Sequence, residues 1–156
     1  MCTNSLVVGD IVSDIRIKHS GNAQYEVVQA AMHMLGQFDR VNASREDMKC
    51  KVLTPGQSEA YARAALVARF DVETPEQAPL RVDQALAPRR FEDRKDDLWT
   101  TFNRVQENLV NGGQHYVARN RAGQRRNGTT RAVNGIDQQT TLNRALWTLA
   151  EALKAA

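Results

Sequence analysis

Residues 97–109 read DLWTTFNRVQENL, and apolar side chains recur in them every three or four positions, at Leu98, Phe102, Val105 and Leu109. That spacing matches the 3.6-residue period of a helix with one apolar face. The aspartate just before Leu98 can cap the start of this helix, and two glycines follow the end of the helix. The segment therefore predicts an amphipathic helix that faces a core, with Trp99 widening the apolar stripe.

The same period predicts a helix on each side of this one in the chain. A helix of about five turns is expected from Asn22, with one buried stripe made of Val27, Val28, Ala31, Met34, Leu35 and Phe38. A C-terminal helix is expected over residues 137–156, with its apolar face made of Leu142, Ala145, Leu146, Leu149 and Leu153.

Local signals define the middle of the chain. Thr54-Pro55-Gly56-Gln57 supplies an N-cap, a proline at the first helical position and a capping-box glutamine, so a helix is predicted to begin there. Residues 71–90 hold the remaining prolines, Pro75, Pro79 and Pro88, which leave room only for a short helix around residues 81–87. We interpret that region as a connector.

Residues 11–19 alternate apolar with polar side chains after a Gly-Asp pair, which is typical of a hairpin. The fold class predicted is therefore α+β, with a small N-terminal antiparallel β element packed by a bundle of about four helices. One domain, residues 1–156, would comprise a β element (1–21), a helical core (22–110), a basic flexible loop (111–136) and a C-terminal helix (137–156).

Composition restricts the class of protein. Of the 156 residues, 42% are apolar and 25% charged, close to the averages of globular proteins. No apolar run has the roughly 18 to 20 residues of a membrane helix and no signal peptide is visible, so the cytoplasm of a host cell is the expected location. Cys2 and Cys50 are too few for a disulfide framework, and we expect both to be free thiols.

Positive charge is concentrated in the last third of the chain. Residues 108–156 have a charge balance of +5, whereas residues 1–107 have a balance of −2. No acidic residue lies between Glu107 and Asp137, and that interval contains Arg119, Arg121, Arg125, Arg126 and Arg131. Such a segment is typical of an anion-facing surface.

These arginines are the candidate nucleic-acid-binding residues, because guanidinium groups spaced along a backbone can follow a phosphate chain. Tyr116 at the entry of the segment could stack on an unpaired base. Two alternatives stay open: the segment binds an acidic protein partner, or it is a solvated loop without a specific ligand.

No catalytic motif is present in the sequence. His19, His33 and His115 are far apart and fit no zinc pattern with the cysteines, and no nucleophile elbow or phosphate-binding glycine motif occurs. We therefore expect no enzyme, no cofactor and no metal. Asn103, Gln106 and Glu107 share one helix face and could form a polar site. We favour instead a face that is solvated or that hydrogen-bonds a neighbouring loop, Asn143 or the arginines.

The helix segment at residues 97–109 resembles the phage/plasmid-like family of unknown function, known as domain of unknown function 932. Residues 134–137 (NGID) and 142–147 (LNRALW) resemble the family's C-terminal signature, and residues 2–9 and 17–21 resemble a segment near its middle. The resemblance therefore covers the C-terminal half of longer relatives. It implies residence on a phage, prophage or plasmid, and it implies no catalytic residues.

Together these features predict a non-catalytic accessory protein of a mobile element that binds nucleic acid, single-stranded or irregular, through the arginine-rich segment. The alternative is a small phage-encoded inhibitor or adaptor, similar in role to an anti-CRISPR protein, that binds a host protein or defence complex. The sequence does not define the oligomeric state.

Overall fold

The structure is a computed structural model that describes residues 23–119 and 125–156. Five α-helices and two strands follow each other in the order α1 Ala23–Cys50, α2 Pro55–Phe70, α3 Val82–Ala85, α4 Leu98–Val110, β1 His115–Arg119, β2 Arg125–Thr129 and α5 Ile136–Ala155. Single 3-10 turns at Pro75–Gln77 and Glu92–Arg94 flank α3. Helices with one small antiparallel sheet confirm the α+β class.

Helix α4 lies at the centre of the helical core. It packs against α1, α2, α3 and α5, and α2 also packs against α5. The four apolar positions that set its period, Leu98, Phe102, Val105 and Leu109, are all buried, as predicted. Across from them, α2 contributes Tyr61 and Leu66, and α5 contributes Leu142, Leu146 and Ala150.

The start of α2 is where the sequence predicted it. The Thr54 hydroxyl accepts a hydrogen bond from the backbone N–H of Gln57 (3.3 Å), and the Gln57 side chain accepts one from the backbone N–H of Thr54 (2.9 Å). Pro55 occupies the first helical position. This reciprocal capping box satisfies two backbone donors that a helix start otherwise leaves unpaired.

Helix α1 differs from its prediction in length and burial. It runs for 28 residues instead of about five turns, because Val41 and Met48, seven residues apart, carry the buried face into its C-terminal half. Where the side chains of the predicted buried stripe are described, they are not buried: Val28, Leu35 and Phe38 are exposed, as is Met32. Local periodicity predicted the amphipathic helix correctly but not whether another element covers it.

The sheet that the structure describes lies in a different part of the chain from the predicted β element. The β element predicted for residues 1–21 falls outside the described residues. In the described part of the chain, the two strands lie within residues 111–136, which we had predicted to be a flexible loop. Their sequences, HYVAR and RRNGT, lack a clear apolar alternation, so pattern alone did not reveal them.

None of the helices in the ranges 23–119 and 125–156 combines the length and the apolar character needed to cross a membrane.

Candidate nucleic-acid interface

The two strands form an antiparallel pair, which we call the β ribbon (residues 115–119 and 125–129). Its register makes Arg119 the direct partner of Arg125, and Ala118 the partner of Arg126. Three of the five candidate arginines therefore occupy the same end of one small element. Arg121 lies outside the described residues.

The base of the β ribbon is anchored to the end of α4. Val133 N–H donates to the carbonyl of Val110, the last residue of α4 (2.8 Å). The two segments that flank the β ribbon also bond to each other, because Gly113 N–H donates to the carbonyl of Thr130 and Thr130 N–H donates to the carbonyl of Gln114, both at 2.9 Å. Gly112 has a positive φ of 63°, and a Cβ there would lie 2.6 Å from the backbone nitrogen of Ala132. The chain can turn out of α4 this tightly only with glycine at that position.

A buried amide holds the same junction together. Asn108 Nδ2 donates to the carbonyls of Ala85 and Ala87, both at 2.9 Å, and its Oδ1 accepts from Arg89 (2.7 Å) and Gln114 (3.1 Å). All four hydrogen-bonding positions of this side chain are therefore used. Asn108 sits among the apolar positions of α4 without a motif of its own, so the sequence pattern gives no sign of this role.

The β ribbon has one outward and one inward face. His115, Val117, Asn127 and Thr129 are exposed, and Val117 retains 58% of its accessible surface. Tyr116 and Gly128, which alternate with them, are half-buried. Since neighbouring side chains on a strand point to opposite faces, the outward face is polar with one apolar residue.

Tyr116 has a different setting from the stacking platform that the sequence suggested. Its ring lies across Gly128, where an added Cβ would be 2.5 Å from Tyr116 Cζ, and it packs against the margin of the core. Gln84 Nε2 also donates to the carbonyl of the preceding His115 (2.6 Å), which fixes β1 to α3. The structure thus places Tyr116 as a packing residue of the β ribbon.

Arg131 follows the β ribbon with an exposed side chain, and its backbone is held in place. Arg69 donates through Nη2 to the carbonyl of Arg131 and through Nε to the carbonyl of Leu109, both at 3.0 Å. Burial lowers the pKa of Arg69 from its ordinary value. The half-buried Arg69 side chain therefore fixes the backbone of Arg131, whose own side chain is exposed to solvent.

A groove of about 650 Å³ runs between the β ribbon and α3. It is lined by Arg81, Asp83, Gln84, Tyr116 and Asn127, among others. Arg81 and Asp83 form an ion pair with each other, so this part of the lining is electrically balanced. The described lining residues of the groove do not include the arginines of the β ribbon, Arg119, Arg125 and Arg126.

The polar face of α4 has the structural role that we favoured. Gln106 Nε2 donates to Asn143 Oδ1 on α5 (2.8 Å), and Arg90 Nη2 donates to Glu107 Oε1 (2.7 Å). Asn103 donates to the carbonyl of Trp99 in its own helix (2.7 Å). These side chains bind neighbouring parts of the chain and leave no open polar site on this face.

Comparison with known proteins identifies the family. A family model described as a domain of unknown function (DUF932) matches residues 1–147. The chain belongs to this family. Of the resemblance noted in the sequence, membership of domain of unknown function 932 is thereby confirmed, and the match covers most of the chain.

Two relatives of this DUF932 chain come from Escherichia coli (strain K12). The UPF0380 protein YafZ is 44% identical over 153 residues, and the UPF0380 protein YfjQ is 42% identical over the same length. Each alignment covers 98% of this chain and 54% of the relative. The chain thus spans about half the length of the curated relatives it matches. No solved structure matches it.

Within the described ranges, no three His, Cys, Asp or Glu side chains come together in a way that could hold a metal ion. Cys50 is an exposed free thiol, in agreement with its prediction, whereas Cys2 and His19 lie outside the described residues.

Proposed function

We propose that this DUF932 chain is a non-catalytic nucleic-acid-binding accessory protein of a phage, prophage or plasmid, and that the β ribbon is its binding element. The mobile-element setting rests on the resemblance to the phage/plasmid-like family. The binding element rests on the placement of the arginines.

One observation carries the proposal: the register sets Arg119 directly opposite Arg125, with Arg126 next in the ladder. Like charges at directly opposite positions destabilise a β ladder. A polyanion bound at this end would remove that repulsion, because each phosphate can pair with a guanidinium group. The segment also lacks any acidic residue from 108 to 136 that could neutralise the arginines from within.

The test is a salt series of fluorescence anisotropy titrations with labelled oligonucleotides. If phosphate contacts drive binding, log affinity falls with log salt by about 0.7 per neutralised phosphate on single strands and about 0.9 on duplex DNA. The double variant Arg125→Ala/Arg126→Ala should weaken binding and flatten that slope by about one to two contacts.

The matched control is Arg40→Ala/Arg45→Ala, which removes two cations from α1. It changes the net charge equally, and it should leave the slope close to that of the unchanged protein. A flat salt dependence in the unchanged protein, or no binding at low salt, would contradict the proposal.

A second candidate function is a small inhibitor or adaptor that binds a host protein or defence complex. The observation that favours it is the exposed stripe on α1, formed by Val28, Met32, Leu35 and Phe38. Contiguous exposed apolar side chains mark protein-interaction surfaces. A pull-down from host lysate with and without nuclease separates the two: partners that survive nuclease and are lost with Leu35→Glu support this function.

A further inference from the structure

The shape of the β ribbon and the chemistry of its outward face narrow the class of nucleic acid. This inference rests on the proposed nucleic-acid binding and adds the form of the ligand. We propose that the ligand is double-stranded DNA, and that the outward face of the β ribbon enters the major groove.

A single-stranded ligand would need aromatic platforms on which successive bases stack. Residues 108–136 contain one residue of the Phe, Trp and Tyr class, Tyr116. Its ring is committed to Gly128 and to the core margin. The β ribbon therefore lacks the surface on which single-strand binding ordinarily depends.

The dimensions fit a duplex groove. Five paired residues at about 3.3 Å each give a ribbon about 17 Å long, with strands about 4.8 Å apart. The major groove of B-form DNA is about 12 Å wide and admits a two-stranded ribbon, whereas the minor groove is only about 6 Å wide. The major groove of an RNA duplex is deep and narrow, so side chains cannot read it.

The described side-chain hydrogen bonds that tie this part of the chain to the body lie at the base of the β ribbon. Gln84 Nε2 donates to the carbonyl of His115, and Gln114, which precedes β1, donates to Asn108 Oδ1. The paired arginine positions lie at the opposite end. Phosphate contacts would therefore be made at the end of the β ribbon away from these bonds.

The outward face carries groups that can contact base edges. Asn127 is an exposed amide, and asparagine can pair with adenine through its N6 and N7 atoms. Its register partner Val117 is an exposed apolar side chain of the kind that contacts the thymine methyl group. His115 and Thr129 hydrogen-bond to each other (3.3 Å) and close the base of this face.

The experiment compares a short labelled DNA duplex with its two single strands and with the RNA duplex of the same sequence, using the full chain. Duplex DNA should bind at least about tenfold more tightly than the other three probes. Methyl green, which occupies the major groove, should compete, and netropsin, which occupies the minor groove, should not.

Two variants test the face itself. Asn127→Ala and Val117→Ala should each weaken duplex binding about fivefold or more while keeping the salt slope, because they remove base-edge contacts and no phosphate contact. Asn42→Ala, an exposed amide on α1, is the matched control and should change nothing. Unaltered thermal melting of all three variants would show that they fold.

The outcomes of these binding experiments distinguish a wrong duplex inference from a wrong proposal of nucleic-acid binding. Equal or tighter binding of the single strands, or competition by netropsin instead of methyl green, would overturn the duplex inference and keep nucleic-acid binding. Absence of binding to every probe at low salt would overturn both.

Discussion

Asn108 is a single buried side chain that hydrogen-bonds several parts of the molecule. It is fully buried, and its four hydrogen bonds join α4 to the carbonyls that follow α3, to Arg89 and to the base of the β ribbon. Removing one partner of a buried hydrogen bond costs more than the bond contributes, because the other partner is left unpaired.

Asn108→Ala should therefore lower the free energy of unfolding by about 2 to 4 kcal/mol. Asn103→Ala on the same helix is the control, since its side chain makes one bond to its own helix, and it should cost less than about 1 kcal/mol. Urea denaturation measures both. Equal losses for the two variants would show that the network does not act as described.

Gly112 and Gly113 provide a second residue-scale comparison. Both have positive φ, but a Cβ on Gly112 would meet the backbone of Arg131 at 2.6 Å, whereas one on Gly113 would meet nothing within 4 Å. Gly113→Ala should cost about 1 to 2 kcal/mol for the left-handed conformation alone. Gly112→Ala should cost distinctly more in the same melting experiment, and a smaller cost would contradict the close approach.

At the scale of elements, α5 is held by its buried stripe more than by its aromatic residue. Trp147 is only half-buried, with its ring edge-on to Phe102 at a centroid distance of 5.6 Å. Leu146 is completely buried, and the Tyr61 hydroxyl donates to its carbonyl (3.1 Å).

Leu146→Ala should consequently cost about 2 to 5 kcal/mol. Trp147→Ala should cost less than the roughly 3 to 5 kcal/mol of a fully buried aromatic residue, because part of the ring stays in water in both states. Thermal melting of the two variants shows which substitution destabilises the protein more. A larger loss for Trp147→Ala would restore it as the main anchor of α5.

The end of α5 is joined to α1 by charge. Burial opposes ionisation of Glu151, but hydrogen bonds from Lys154 and Ser44 outweigh it and lower the pKa of Glu151 from its ordinary 4.5. A carboxyl whose folded pKa is depressed adds stability above its unfolded pKa and loses that contribution as pH falls through the folded pKa.

Glu151→Gln should accordingly reduce the melting temperature at pH 7, and its difference from the unchanged protein should shrink as the pH falls below about 4.5. Glu59→Gln, which changes an exposed carboxyl on α2, is the control and should leave the melting temperature at pH 7 unchanged. If the melting-temperature deficit of Glu151→Gln grew as the pH fell, a lowered pKa of Glu151 would not explain it.

At the scale of the whole molecule, the features predictable from sequence are those that depend on neighbours in the chain. The capping box at Thr54 and the period of α4 involve residues three or four apart, and the structure confirms both. The concentration of arginines was equally visible. Their pairing across the β ribbon was not, because a register joins residues that no local pattern relates.

The apolar stripe of α1 is a second feature whose outcome local sequence patterns could not predict. An apolar period predicts an amphipathic helix, but burial depends on a partner that the period does not name. Leu35→Gln should change the free energy of unfolding by less than about 0.5 kcal/mol, whereas Met48→Ala, which empties a fully buried site, should cost about 2 to 5 kcal/mol. Comparable losses in urea denaturation would show that Leu35 is covered in solution.

The length of α1 has a mechanical consequence. The buried contacts of α1 in the described chain begin at Val41, and the helix extends from there back to Ala23, a distance of about 27 Å at 1.5 Å per residue. A rotation of roughly 10° about the Val41–Met48 anchor would move the far end by about 5 Å. A small repacking at Met48 would therefore produce a larger displacement at the start of α1.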